Sequence, residues 1–279
     1  MHSAVRLLAA TLFVGLGAPI AFSGETSKAT DASTLLTRAV EQYLANQEHW
    51  AYTESQRVVG LGGKAKGETI QQVDPSKPYV EQIKPVRIEG EPPTSGQIQE
   101  YRNRGEWLAK QRYQDTERNE GKTDGPSLQS RVKIPLGGQM AVPDLEHAAV
   151  ISEDDNSVTF GIPFLTQEGN HSPMFDRFAV TVRINKLRGD LEHFAIRQRD
   201  SFRVKLIAKI ASFEEDAEFT LVDPRYPSVM TRDIQKATVS ILFIKRVVTV
   251  DVQRTNLMHV KNYDERFGVK LGPIQILKF

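Results

Sequence analysis

The 279-residue chain has no cysteine, which removes disulfides, thiolate metal ligands and a cysteine nucleophile from consideration. It also has almost no net charge, +1 at pH 7: 36 Lys and Arg stand against 35 Asp and Glu. A balanced surface argues against a nucleic-acid binder, whose phosphate contacts need an excess of cations. The Gly-x-Ser-x-Gly nucleophile motif is missing from the chain, which removes that positive sign of hydrolysis. The histidines at positions 2, 49, 147, 171, 193 and 259 share no i,i+2 or i,i+4 spacing, and no metal site is expected. Gly60-Leu61-Gly62-Gly63 has the glycines of a phosphate loop but no amphipathic helix after it, and is set aside. These exclusions predict a noncatalytic protein without a cofactor. The composition, 39% hydrophobic and 25% charged, is that of a globular domain.

The N-terminus has the parts of an export signal. Arg6 supplies a positive n-region, and Leu7–Ala18 is an apolar run too short to span a bilayer. Pro19 breaks it, and Ala21-Phe22-Ser23 places small residues where a signal peptidase reads. We therefore expect a signal peptide over 1–23 with cleavage after Ser23, a polar linker over 24–30, and a periplasmic location. An uncleaved N-terminal anchor is the alternative. An exported chain without cysteine fits a bacterial envelope better than an animal extracellular space. No later segment approaches ~18 consecutive apolar residues, so no spanning helix is expected in the mature chain.

Asp31-Ala32-Ser33 reads as a helix start, and Leu35, Leu36, Ala39, Val40, Tyr43 and Leu44 then recur at helical spacing. Trp50 through Val59 and Glu68 through Val73 read as a hairpin around a glycine-lysine turn. Tyr79 through Ile88 adds a strand that Pro85 demotes to an edge or bulge. Thr94-Ser95-Gly96-Gln97 fits a capping box opening a long charged segment to about Arg118, where Ile98, Tyr101, Gly105 and Leu108 make only a narrow stripe. That segment is either a weakly docked surface helix or partly disordered, and Asn119–Gly138 reads as a mobile connection.

From His147 the pattern is β. Ser157–Ile162 follows an Asp-Asp-Asn turn, and Phe178, Val180, Val182 and Ile184 alternate with Ala179, Thr181 and Arg183 up to the Arg188-Gly189-Asp190 turn. Phe202, Val204, Leu206, Ala208 and Ile210 alternate as one half-buried strand, with a turn at Glu214-Glu215-Asp216, a strand from Glu218 to Val222 and another from Thr238 to Val252. The acidic triplets Glu153-Asp154-Asp155 and Glu214-Glu215-Asp216 are read as turns rather than calcium sites. Arg197, Arg199, Arg203, Lys205 and Lys209 share parity and would form a basic stripe on a continuous strand. The stripe would meet either anionic lipid or an acidic partner, or else pair across strands with Glu192, Glu214, Glu218 or Asp251. An outer-membrane barrel ending at Phe279 is a further alternative, disfavoured by Pro273 and Gln275 on the terminal face.

A signal-like N-terminus, one amphipathic helix, a Trp50-Ala51-Tyr52-Thr53 strand after it and long amphipathic strands in a meander resemble the bacterial lipoprotein-localisation-factor superfamily. That group includes periplasmic lipoprotein carriers and sensor domains of anti-sigma-factor regulators. The resemblance is one of organisation over Asp31–Phe279. It implies a mainly β fold: an antiparallel meander forming an open, strongly curved half-barrel, lidded by the N-terminal helix. A second, charged helical insert lies at about 94–138 of a single domain over 31–279. A sheet with one apolar face either packs a helix or holds an apolar ligand. The expected ligand-binding residues are Leu36, Val40, Tyr43, Phe178, Val180, Val182, Phe202, Val204 and Leu206. The expected partners are a lipid or lipoprotein acyl chain and an envelope protein, and the alternative is a structural or sensory envelope module with a filled core.

Overall fold

The computed structural model describes residues 28–60, 65–119, 132–136, 139–165, 174–205, 208–241 and 244–267. The expected signal peptide, its cleavage site, Leu206 and Phe279 lie outside these residues, and residues 28–30 of the expected linker are helical. Helix α1 covers Lys28–Asn46, three residues more than the Asp31 start predicted. Alternation of apolar and polar residues dominates the rest, and the result is a mainly β protein. One antiparallel sheet of eleven strands is not closed into a barrel.

The strands are β1 (Trp50–Val59), β2 (Ala65–Val73), β3 (Ile83–Arg87), β4 (Ile134–Leu136), β5 (Gln139–Ala141), β6 (Ala149–Glu153), β7 (Ser157–Ile162), β8 (Phe178–Asn185), β9 (Leu191–Gln198), β10 (Phe202–Lys205), β11 (Ala208–Thr220), β12 (Val229–Ile241) and β13 (Ile244–His259). The large sheet runs β3-β2-β1-β13-β12-β11-β9-β8-β7-β6, with β10 paired to β11, while β4 and β5 form a separate small ladder. Chain neighbours are sheet neighbours nearly throughout, as short turns between antiparallel strands require. By contacts the chain divides into two compact units. One is Met1–Asn46, Arg57–Lys66 and Pro126–Gln253; the other is Gln47–Gln56, Gly67–Gly125 and Arg254–Phe279.

Within the first unit, three segments depart from the sequence expectation. Phe202–Ile210 is no continuous strand: β10 folds back on β11, with Phe202 opposite Ile210 and Arg203 opposite Lys209. Alternating parity can read the same through a tight turn as along one strand, so the sequence pattern conceals the fold-back. The same symmetry hides the break in Thr238–Val252, where β12 and β13 pair from Ile241↔Ile244 outwards. Glu214-Glu215-Asp216, expected as a turn, lies in the middle of β11. The other acidic triplet is at a turn as expected, where the Asp154 carboxylate accepts from the backbone N–H groups of Asn156 and Ser157.

In the second unit, Tyr79–Glu81 is a single helical turn, and Ile83–Arg87 pairs as an edge strand with an irregular register at Ile70/Gln71, while Ile88 bridges Glu91. Pro85 is tolerated there because an outer edge asks for no donor. The capping box forms: Thr94 Oγ1 accepts from the Gln97 N–H at 3.3 Å, and Gln97 Oε1 accepts from the Thr94 N–H at 2.8 Å. It opens helix α2 (Ser95–Asn119). This helix is almost wholly polar, and what lets it dock is Gly105. A Cβ there would lie 2.5 Å from the Tyr79 carbonyl oxygen and 2.8 Å from Val80 Cα, so only glycine permits the approach. A short helix α3 (Tyr263–Phe267) closes the described chain.

Candidate functional site

The inner face of the first unit can be read row by row from strand register. One row is Ile162, Val180, Ile196, Glu215, Gln235 and Val250, each directly opposite the next. The row beside it is Phe160, Val182, Phe194, Ala217, Asp233 and Val252. From β7 to β9 both rows are apolar. From β11 to β12 they carry two carboxyls and an amide.

Seven of the nine residues expected to bind ligand meet in one apolar cluster around the first half of these rows. Leu36, Val40, Phe178, Val180, Val182 and Phe202 are buried in it and Tyr43 packs against it. Helix α1 delivers Leu36, Ala39, Val40 and Leu44 at the spacing of one face. The Tyr43 ring stands edge-on to Phe219 at 5.2 Å, and Phe178 meets Phe202 at 5.8 Å and Phe213 at 6.1 Å. Val204 is in β10, and its backbone alone is described; Leu206 falls outside the described residues.

The polar half is not foreseen by the sequence reading. Glu215, Asp233 and Gln235 keep only 7%, 8% and 5% of their surface exposed. Burial, then the neighbouring charges of Asp233 and Asp216, push the Glu215 carboxyl up to about 8, so it is mostly protonated at neutral pH. Gln235 Nε2 donates to Asp233 Oδ2 at 3.0 Å, while Gln235 Oε1 is buried with no donor. Parity carries the missing signal: in Phe213-Glu214-Glu215-Asp216-Ala217-Glu218-Phe219, Glu215 alternates with Phe213, Ala217 and Phe219, whereas the other three acids share the opposite face. Reading the triplet as a turn conceals it.

Buried Asp190 and half-buried Glu192 of this unit are well supplied. Asp190 accepts from the Ser228 N–H at 3.1 Å, the Ser228 hydroxyl at 2.8 Å and Arg188 Nε at 3.1 Å. Glu192 accepts from Ser157 Oγ at 2.7 Å and Asn185 Nδ2 at 2.9 Å. On the outer face of the same strands Arg197 meets Asp216 at 2.5 Å and Arg232 meets Asp251 at 3.0 Å. Gln198 Oε1, Arg246 Nε and Gln235 Oε1 are buried without a hydrogen bond, and of these Gln235 stands directly opposite the protonated Glu215. Chemically the Glu215 and Gln235 pair can give one hydrogen bond and take one.

In the second unit Glu54 accepts from Gln71 Nε2 at 2.7 Å and Arg254 Nε at 3.1 Å, and the Arg254 guanidinium lies 4.5 Å over the Tyr52 ring. His49 stacks on His259 and bonds Glu265 at 2.9 Å. Each group here has a partner on an adjoining segment, so the cluster reads as a tie between β1 and the end of β13. Among the described residues no group of three or more His, Asp or Glu is placed to hold a metal ion, and no helix is long and apolar enough to cross a membrane. Comparison with protein-family models, with curated proteins and with solved structures found no match to this chain.

Proposed function

We propose that the protein is a noncatalytic periplasmic binding protein for a lipid or lipoprotein acyl group, in keeping with the resemblance to the lipoprotein-localisation-factor superfamily. The acyl chain would lie along the inner face of the first unit, against Val180, Val182 and Phe178, with α1 as its cover. The observation that carries this reading is Gln235 Oε1, a buried acceptor that makes no hydrogen bond, on the strand beside the protonated Glu215. A buried polar group left unbonded costs about 1–3 kcal/mol, and a ligand hydroxyl, carboxyl or amide would satisfy it. An amphipathic molecule matches a face that is apolar over β7–β9 and hydrogen-bonding over β11–β12.

The second reading, a structural or sensory module with a filled core, is favoured by the seven expected residues already packing on one another. Titration of the full chain with cis-parinaric acid, a fluorescent long-chain fatty acid, separates the two. Saturable one-to-one binding is expected, together with a native mass above that of the polypeptide by one acyl lipid. Absence of saturable binding and a bare polypeptide mass would leave the filled-core module.

A further inference from the structure

The end of the first unit's sheet, where β10 turns into β11 and β12 into β13, differs from the rest of its outer face. Register places Arg203 opposite Lys209, Lys209 opposite Ser240, and Ser240 opposite Lys245, in one row across four strands. All three cations are exposed, and among the described residues none of them forms an ion pair. No acidic residue occurs in 201–213 or 239–250. Farther along the same face the cations are matched, as Arg197 with Asp216 and Arg232 with Asp251. A chain neutral overall has left this end uncompensated. Val247 shares the face of Lys245 and is 51% exposed, and Ile244, at the very start of β13, is 58% exposed.

We infer that this end of the sheet is a docking surface for an anionic lipid bilayer. The chemistry of the patch decides for a bilayer over an acidic protein or a nucleic acid. Long cationic side chains reach the headgroup layer while keeping their stems on apolar surface, and Ile244 and Val247 offer aliphatic groups to the acyl boundary at the same end. Ionic attraction to a phosphate polymer would need the cations alone. The β10 fold-back is what assembles the row: on a continuous strand Arg203 and Lys209 would stand about 20 Å apart, whereas here they are direct cross-strand neighbours. Like charges set directly opposite destabilise a ladder, and an anionic surface relieves that repulsion. The inference stands on the outer face and is independent of the acyl-binding reading of the inner face.

Flotation of the full chain with vesicles tests it, using pure phosphatidylcholine and phosphatidylcholine mixed with phosphatidylglycerol. The zwitterionic vesicles measure whatever the Leu7–Ala18 run contributes. Stronger binding to the phosphatidylglycerol vesicles, weakening as salt rises, is expected. The triple variant Arg203→Gln, Lys209→Gln, Lys245→Gln should lower that partition on the order of 100-fold, since each cation near an anionic surface is worth about fivefold. Its circular dichroism should match the parent. Val247→Ser should weaken binding several-fold without changing the salt dependence. Equal binding to the two vesicle types, an undiminished triple variant, or capture by soluble polyglutamate as strong as by vesicles would overturn the inference.

Discussion

Two halves of one sheet face bury their side chains to the same extent and by different means. Over β7–β9 the inner rows include Ile162, Val180, Ile196, Phe160 and Val182, all below 7% exposure. Over β11–β12 they include Glu215, Gln235 and Asp233, no more exposed than 8%. Burial of each apolar side chain in the first half contributes about 1.5–3 kcal/mol. Burial in the second half has the opposite sign unless hydrogen bonds offset it. The first half is built for stability; the second keeps polar groups in a place where stability alone would select against them.

The largest effect expected from this difference is on pH dependence. Glu215 has a carboxyl pushed up to about 8 when folded, against an ordinary 4.5. Between those values the folded state holds a proton that the unfolded state has lost, so stability falls as pH rises through the window. The full loss is on the order of 5 kcal/mol. Glu215→Gln removes the titration, and urea unfolding at pH 4.5 and pH 8.5 should show the variant gaining on the parent by that order. A constant difference across the window would mean that Glu215 is ionised in the fold, and the two halves would then differ only in shape.

Next in size is a substitution in the apolar half. Ile196→Ala leaves a cavity among side chains from three strands and should cost about 2–5 kcal/mol. Val250→Ala, at the far end of the same row beyond Gln235, removes less volume and should cost no more than about half as much. Equal costs at the two positions, measured from unfolding midpoints, would erase the distinction between the halves.

Much of the apolar half is legible in the sequence. Phe178, Val180, Val182 and Ile184 alternate without a break, and register with β9 puts every one inside. Helix α1 is legible from the spacing of Leu36, Val40 and Leu44, and the capping box of α2 from Thr94 and Gln97. The polar half is lost because two hairpins, β10/β11 and β12/β13, preserve the pattern through their turns. A β11 of 13 residues is thereby divided into a strand, a turn and another strand. Three acids in succession usually mean solvent and a turn. Only the Phe213 and Phe219 flanks show that the middle one faces inward. The docking of α2 is hidden for a different reason, since a glycine in a polar helix gives no sign of the backbone it approaches.

The smallest effect on stability is expected at Gln235, and there the comparison becomes a test of use. Gln235→Leu removes the donor to Asp233 Oδ2, which weakens a hydrogen bond to a charged group worth about 1.5–3 kcal/mol. It also removes a buried acceptor that has no donor, relieving about 1–3 kcal/mol. The two nearly cancel, and the unfolding midpoint should move by no more than the equivalent of about 1 kcal/mol. If the amide oxygen meets a ligand head group, that balance does not extend to binding. The variant then loses one hydrogen bond made only in the complex, and affinity for cis-parinaric acid should fall about tenfold, the equivalent of about 1.4 kcal/mol. An unchanged affinity beside an unchanged stability would mean that the amide oxygen serves neither fold nor ligand, and the polar half would have to act through Glu215 and Asp233 alone.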